Sequence, residues 1–140
     1  MASWFAKELF TNCNDNVLVF GSNLAGIHGA GAAKFAETYC KAIRGQGFGL
    51  QGKSFAIPTK DEWFKVLPLD AIESFVRQFL HFATQNPHLT FYVTPIGTGL
   101  AGYQHHQIAP MFRDAPANCI LPTQWQMREN NLLLDVDKST

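Results

Sequence analysis

The chain has 140 residues, no formal net charge and 46% apolar residues, enough to build the core of one domain of ordinary size. A neutral balance without clustered Lys and Arg excludes nonspecific nucleic-acid binding, which draws its affinity from phosphate contacts. No apolar run approaches bilayer length and the N-terminal MASWFAKELF lacks the apolar stretch of a signal peptide, so the expectation is a cytoplasmic protein without a membrane partner.

In chain order, Trp4, Phe5 and Phe10 come first, and they either pack on a sheet or shield a ligand ring. Asn16–Phe20 (NVLVF) is a short continuous apolar run, the pattern of a strand buried on both faces. The following stretch carries Gly21, Gly26, Gly29 and Gly31, and from Ala30 to Ile43 apolar residues recur at helical spacing. Arg44–Lys53, with four glycines, reads as a loop, and Ser54–Pro58 as a second strand. After a connection over Thr59–Leu67, Pro68 suits a helix start; Ile72, Phe75, Val76, Phe79 and Ala83 mark one helix face, which Asn86-Pro87 ends. Leu89–Val93 (LTFYV) has the composition of a strand, Thr94–Tyr103 (TPIGTGLAGY) is a second glycine-rich loop, Gln104–Phe112 suggests a short helix, and Asn118–Leu121 a last core strand. The whole of residues 1–140 reads as one domain, with a loosely packed tail at 127–140 from which Leu132–Leu134 could pack back.

Strands alternating with helices imply an α/β fold with a mostly parallel sheet covered on both faces. Such sheets bind ligands at the carboxyl ends of their strands. Both glycine-rich loops follow strands, so both open on that edge. Either the glycines mark turns and close helix–sheet contacts, or they let backbone N–H groups meet a phosphate; two such loops on one edge favour a diphosphate between them. There is no GxxxxGK[ST], no GxSxG, and no complete GxGxxG after the first strand with an acid about twenty residues on. A Rossmann-type dinucleotide enzyme is therefore the more distant reading, and Gly45-x-Gly47-x-Gly49 is discounted because it follows a helix. Cys13, Cys40 and Cys119 form no CxxC pair, which argues for reduced thiols, with Cys40 and Cys119 in the core, and against a zinc site.

VFGSNLAGIHGAGAAKFA, GLQGKSFAIPTKD and IGTGLAGY followed by IAP, taken together and in order, resemble a macrodomain-like family of bacteria and phages over roughly Val17 to Pro122. The resemblance implies a three-layer α/β/α fold around a mixed, mostly parallel sheet, and ADP-ribose or a related nucleotide as ligand. It implies that Asn23 faces the distal ribose, that Gly21, Ser22, Gly29, Ala30 and Gly31 lie along the diphosphate and distal ribose, that Ile96, Gly97, Thr98, Gly99, Leu100, Ala101 and Gly102 form the second phosphate loop, and that Tyr103 packs near the distal ribose. The chain has GSN where many macrodomains have NAAN, and Asp15 is the one candidate for the aspartate that binds adenine. The activity implied is hydrolysis of ADP-ribose-1''-phosphate or of an ADP-ribosyl conjugate, which makes an ADP-ribosylated macromolecule a further candidate partner; the alternative is a module that binds without turnover. No metal and no other cofactor is called for.

Four residues are candidates for chemistry. Asn23 can donate to a ribose hydroxyl or orient water, or can simply serve as a turn residue. His28 can exchange a proton near neutrality, or can be a solvated loop histidine. Lys60 can pair with a phosphate, and Asp61 can activate a nucleophile or form a solvated turn. His105 and His106 read as rim residues, since neighbours on a helix point in different directions, and His81 and His88 as solvated or structural.

Overall fold

A strand that is apolar on both sides needs cover on both faces, and the first strand shows how it is supplied. In the computed structural model, which describes residues 6–126, strand β1 (Asn16–Asn23) alternates between two cores. Val17 and Val19 join Phe55, Ile57, Phe91 and Val93 on one face, under Ile72, Val76, Phe79 and Ala83 of helix α3 (Leu69–Gln85). Leu18, Phe20 and Ala56 lie on the other face, under Phe10 of the short helix α1 (Glu8–Thr11) and Ala36 of helix α2 (Gly31–Tyr39). Burial of Ile72, Val76 and Phe79 contributes about 1.5–3 kcal/mol each, which sustains a helix that would be marginal alone.

The sheet also contains β2 (Gly49–Gln51), β3 (Ser54–Lys60), β4 (Thr90–Val93) and β5 (Cys119–Ile120), in the order β2-β3-β1-β4-β5. β3, β1, β4 and β5 are parallel, and β2 is antiparallel at one edge. The expected three-layer α/β/α arrangement around a mixed, mostly parallel sheet is what the chain forms. The carboxyl ends of four strands therefore share one edge.

Several boundaries differ from the sequence expectation. β1 runs on through Gly21, Ser22 and Asn23, because β3 pairs with it as far as Lys60. α2 stops at Tyr39, since Lys41 takes a left-handed φ of 61° and Ala42 N–H folds back to Ala36 O at 3.1 Å. Ile43, expected on the buried helix face, is consequently 51% exposed. The glycine-rich stretch after it contains β2, which exists because a turn at Gly52 folds it back onto β3. The helix expected at Gln104–Phe112 divides into α4 (His105–Ile108) and a 3-10 turn (Ala109–Phe112) at Pro110. Phe10 packs on the sheet, edge-on to Tyr92 with ring centroids 5.8 Å apart. Trp4, Phe5 and the tail at 127–140, with Leu132–Leu134, lie outside the described residues.

Trp125, in a stretch that reads as polar, is 1% exposed and anchors the segment after β5; its indole Nε1 donates to His105 Nδ1 at 3.0 Å. His105 is thus a buttress rather than a rim residue, while His106 is exposed. No helix among the described residues is long and apolar enough to cross a membrane.

The thiols divide by environment. Cys13 is exposed, Cys40 buried and Cys119 partly buried, and all three are free. Burial pushes Cys40 up to about 12, against a smaller opposing pull from Lys53, and burial pushes Cys119 to about 12 as well. Only the thiolate reacts, so an aromatic disulfide reagent at pH 8 should label one thiol rapidly in the native protein and the other two only on unfolding. The Cys13→Ser variant should lose the fast phase.

Candidate functional site

The carboxyl ends of β3, β1 and β4 frame a cleft of about 600 Å³, within the range of small-molecule sites. Its middle wall begins where β1 leaves the sheet. The register slips between Ser22 and Asn23, so that Ser22 faces Pro58 but Asn23 faces Lys60. Asn23 then closes the turn with its own amide: Nδ2 donates to Ile27 O at 2.9 Å, and Oδ1 accepts from Ile27 N–H at 3.1 Å. From Ile27 the chain runs through Gly29 and Ala30 into α2 along the cleft. The N–H groups of Gly31, Ala32 and Ala33, in the first turn of α2, meet no acceptor among the described residues, as at any uncapped helix start. They line the cleft with the helix dipole behind them.

The second wall is the loop after β4. Thr94 Oγ1 and N–H both donate to Val19 O, at 2.8 and 3.0 Å, fastening the loop base to β1. Gly97 adopts φ 77° against Ile108, and Thr98 Oγ1 donates to Pro95 O at 2.7 Å. Gly99, Leu100 and Ala101 are left as a projecting arch in the wall, and their N–H groups have no acceptor among the described residues. Leu100 is 82% exposed.

The third wall belongs to β3 and the connection after it: Thr59, Lys60 and Phe64. Lys60 is the only titratable side chain that lines the cleft among the described residues. Phe64 is the only aromatic one, and it adopts φ 67°. A second cavity, of about 430 Å³, lies beyond the opposite end, at β4 and β5, lined by Tyr92, Ile120, Leu121 and Gln124 among others. The two cavities adjoin at Thr94 and Pro95.

The glycines at this edge fall into two kinds. A Cβ on Gly26 would stand 2.4 Å from Gln46 N, and one on Gly47 2.2 Å from Asn23 O, so these two permit backbones of the same chain to touch. Gly47 therefore belongs to the scaffold behind Asn23 and not to a nucleotide fingerprint. Gly29 and Gly99 differ: neither requires a left-handed φ, and a Cβ on either would meet no atom within 4 Å. Neither packing nor conformation within the chain accounts for glycine at these two places.

Of the residues singled out from sequence, Gly21, Ser22, Asn23, Gly29, Ala30, Gly31, Lys60, Ile96, Gly97, Thr98, Gly99, Leu100 and Ala101 line this one cleft. Five candidates do not. His28 is wholly buried under the loop, packed edge-on to Phe20 at 5.2 Å. Its Nε2 lies 3.0 Å from Ile43 O, which can only accept, so Nε2 carries the proton and Nδ1 is left without a partner among the described residues. His28 is thus neither a solvated residue nor within reach of the cleft. Asp61 turns its carboxylate back on the connection, where Oδ1 accepts from Trp63 N–H at 2.8 Å and Lys65 N–H at 2.9 Å. Tyr103 is drawn toward the other side of the loop, its hydroxyl donating to Leu67 O at 2.5 Å. Gly102 ends the arch at φ 86° and serves the turn. Asp15 precedes β1, and the strand residues Asn16 to Phe20, at about 3.3 Å each, separate it from the first cleft-lining residue, Gly21. Phe64 and Ile27 were not singled out from sequence; the fold of the connection brings Phe64 to the cleft, and the Asn23 turn brings Ile27.

No protein-family model matches the chain, and no curated protein sequence matches it. Among solved structures it is similar to the macrodomain of Mycobacterium tuberculosis DarG, with 18% identity and a TM-score of 0.58 over 80% of this chain and 91% of that one. The likeness establishes a macrodomain fold.

The wedge of Gly47 behind Asn23 is testable. Gly47→Ala should destabilise the protein by about 1–3 kcal/mol, because a methyl group cannot fit at 2.2 Å from a carbonyl oxygen without shifting backbone. Urea unfolding checks the loss.

Proposed function

We propose that the protein binds ADP-ribose in the cleft and hydrolyses a derivative of it at the distal ribose, either the 1''-phosphate or an ADP-ribosyl conjugate. The observation that carries the reading is the pair Gly29 and Gly99: glycines with no structural need for glycine, beside N–H groups with no acceptor among the described residues. A diphosphate between the start of α2 and the Gly99–Ala101 arch accounts for both. In this reading the two arms of the ligand run to opposite sides of the diphosphate. The adenosine extends past β4 toward the cavity at Tyr92 and Ile120, and the distal ribose toward β3, Lys60 and Phe64.

The chemistry follows from what stands at the β3 end. Among the described residues Lys60 is the only side chain lining the cleft able to exchange a proton or carry a charge. In this reading its ammonium group offsets charge on the leaving oxygen and supplies a proton to it. Asn23, with two bonds already committed to Ile27, retains one amide hydrogen for a ribose hydroxyl or a water. The binding module without turnover is the second reading, and that same commitment of Asn23 to the turn favours it.

Calorimetry with ADP-ribose tests the premise, and absence of binding at millimolar ligand removes both readings. The Gly99→Val variant should keep its melting temperature but bind at least about tenfold more weakly, since the added bulk meets only ligand. Incubation with ADP-ribose-1''-phosphate and with ADP-ribosylated protein separates the two readings; no product from either supports the binding module. If turnover occurs, Lys60→Arg should hold affinity within a few-fold and lower kcat by about a hundredfold or more, because charge is kept while proton donation is lost.

A further inference from the structure

Phe64 occupies a backbone region that a bulky residue avoids. Its φ of 67° is left-handed, and a side chain there costs on the order of 1–2 kcal/mol. Such a conformation persists only where the surroundings over-determine it. Here the determinants are visible. Asp61 Oδ1 accepts from Trp63 N–H and Lys65 N–H, Asp61 N–H donates to Lys65 O at 2.8 Å, and Phe64 N–H donates to Asp61 O at 3.1 Å. An antiparallel bridge between Lys60 and Val66 closes the base of the connection, with Leu67 N–H donating to Thr59 O at 2.9 Å. The connection is a cinched loop with Phe64 in its bend.

What the cinching achieves is the placement of one ring. Phe64 is half exposed and stands in the wall of the cleft, on the same side as Lys60. Tyr103, the aromatic residue next to the second loop, is turned away toward Leu67. Among the described residues Phe64 is thus the one aromatic side chain that lines the cleft; the neighbouring Trp63, 71% exposed, does not line it.

We propose that Phe64 is a specificity-determining residue that packs its ring on the distal ribose, and that Asp61 is the residue that positions it. This rests on the reading of the cleft as an ADP-ribose site. The carbon-bound face of a furanose is apolar enough to lie on an aromatic ring, and the contact discriminates a ligand with a second ribose from one that ends at the diphosphate. Asp61 touches no ligand; it acts by holding the ring where the ligand meets it.

The test compares ADP-ribose with ADP, which lacks the second ribose, by calorimetry on the full chain. Wild type should bind ADP-ribose more tightly. Phe64→Ala should weaken ADP-ribose about tenfold and leave ADP within about twofold. Phe64→Gly, which relieves the left-handed backbone, should keep the melting temperature and show the same loss, so an unfolded variant cannot account for it. Asp61→Ala should resemble Phe64→Ala and add nothing in the double variant. Asp61→Asn keeps the accepting oxygen and should restore binding, as it would not for a carboxylate serving as a base. Wild type that binds neither ligand removes the site and this inference together. Wild type that binds ADP-ribose while the folded Phe64→Gly variant binds it equally, or loses ADP in proportion, overturns the inference and leaves the site standing.

Discussion

The cleft depends on one pair of hydrogen bonds, those between the Asn23 amide and the backbone of Ile27. β1 is the middle strand of the sheet, buried on both faces, and its chain must leave the sheet edge without obstructing the two strands beside it. Asn23 turns it at once, helped by Gly26 N–H on Asn23 O at 2.9 Å and by Gly45 N–H on Gly26 O at 2.9 Å. The turn delivers Gly29 and the first turn of α2 to the cleft. The register slip opposite Thr59 places Lys60 beside Asn23 in the same step. The residue that lines the middle of the cleft is therefore also the residue that builds its wall.

Around that turn the chain uses glycine in two opposed ways. At Gly26 and Gly47 it lets protein backbones press together. At Gly29 and Gly99 it keeps side chains out of the cleft. The close-packed set lies behind the wall and the open set on its face. Strain is placed in the same manner: Phe64 is held in an unfavourable backbone region by Asp61, whose Oδ1 accepts two N–H groups of the connection. Among the described residues Lys60 alone of the titratable side chains lines the cleft.

Much of this was legible beforehand. The apolar run NVLVF, the helical spacing from Ile72 to Ala83 and the composition of LTFYV are local signals that survive in isolation, and each became the expected element. The two glycine-rich loops fell on one edge because parallel strands require it. Less legible were features set by a partner far along the chain. β2 looks like loop because its glycines carry no strand preference; pairing with β3 makes it a strand. His28 reads as a loop histidine, yet the ring is drawn under the loop by Phe20 and the Ile43 carbonyl. Tyr103 adjoins the right motif but is claimed by Leu67.

By itself the amino-acid order determined the alternation of strands and helices, hence an α/β sheet and the edge on which its loops open. Periodicity and glycine content are properties of neighbouring residues, and they need no distant partner to act. Tertiary structure decided which polar side chains line the cleft. Asn23 and Lys60 come together only through the slipped β1–β3 register, Phe64 joins them only through the cinched connection, and Asp61 and His28 are withdrawn by backbone groups that sequence spacing does not reveal. Side-chain direction at a strand end follows from register and from hydrogen-bond competition across the fold, and both are set only when the sheet has formed.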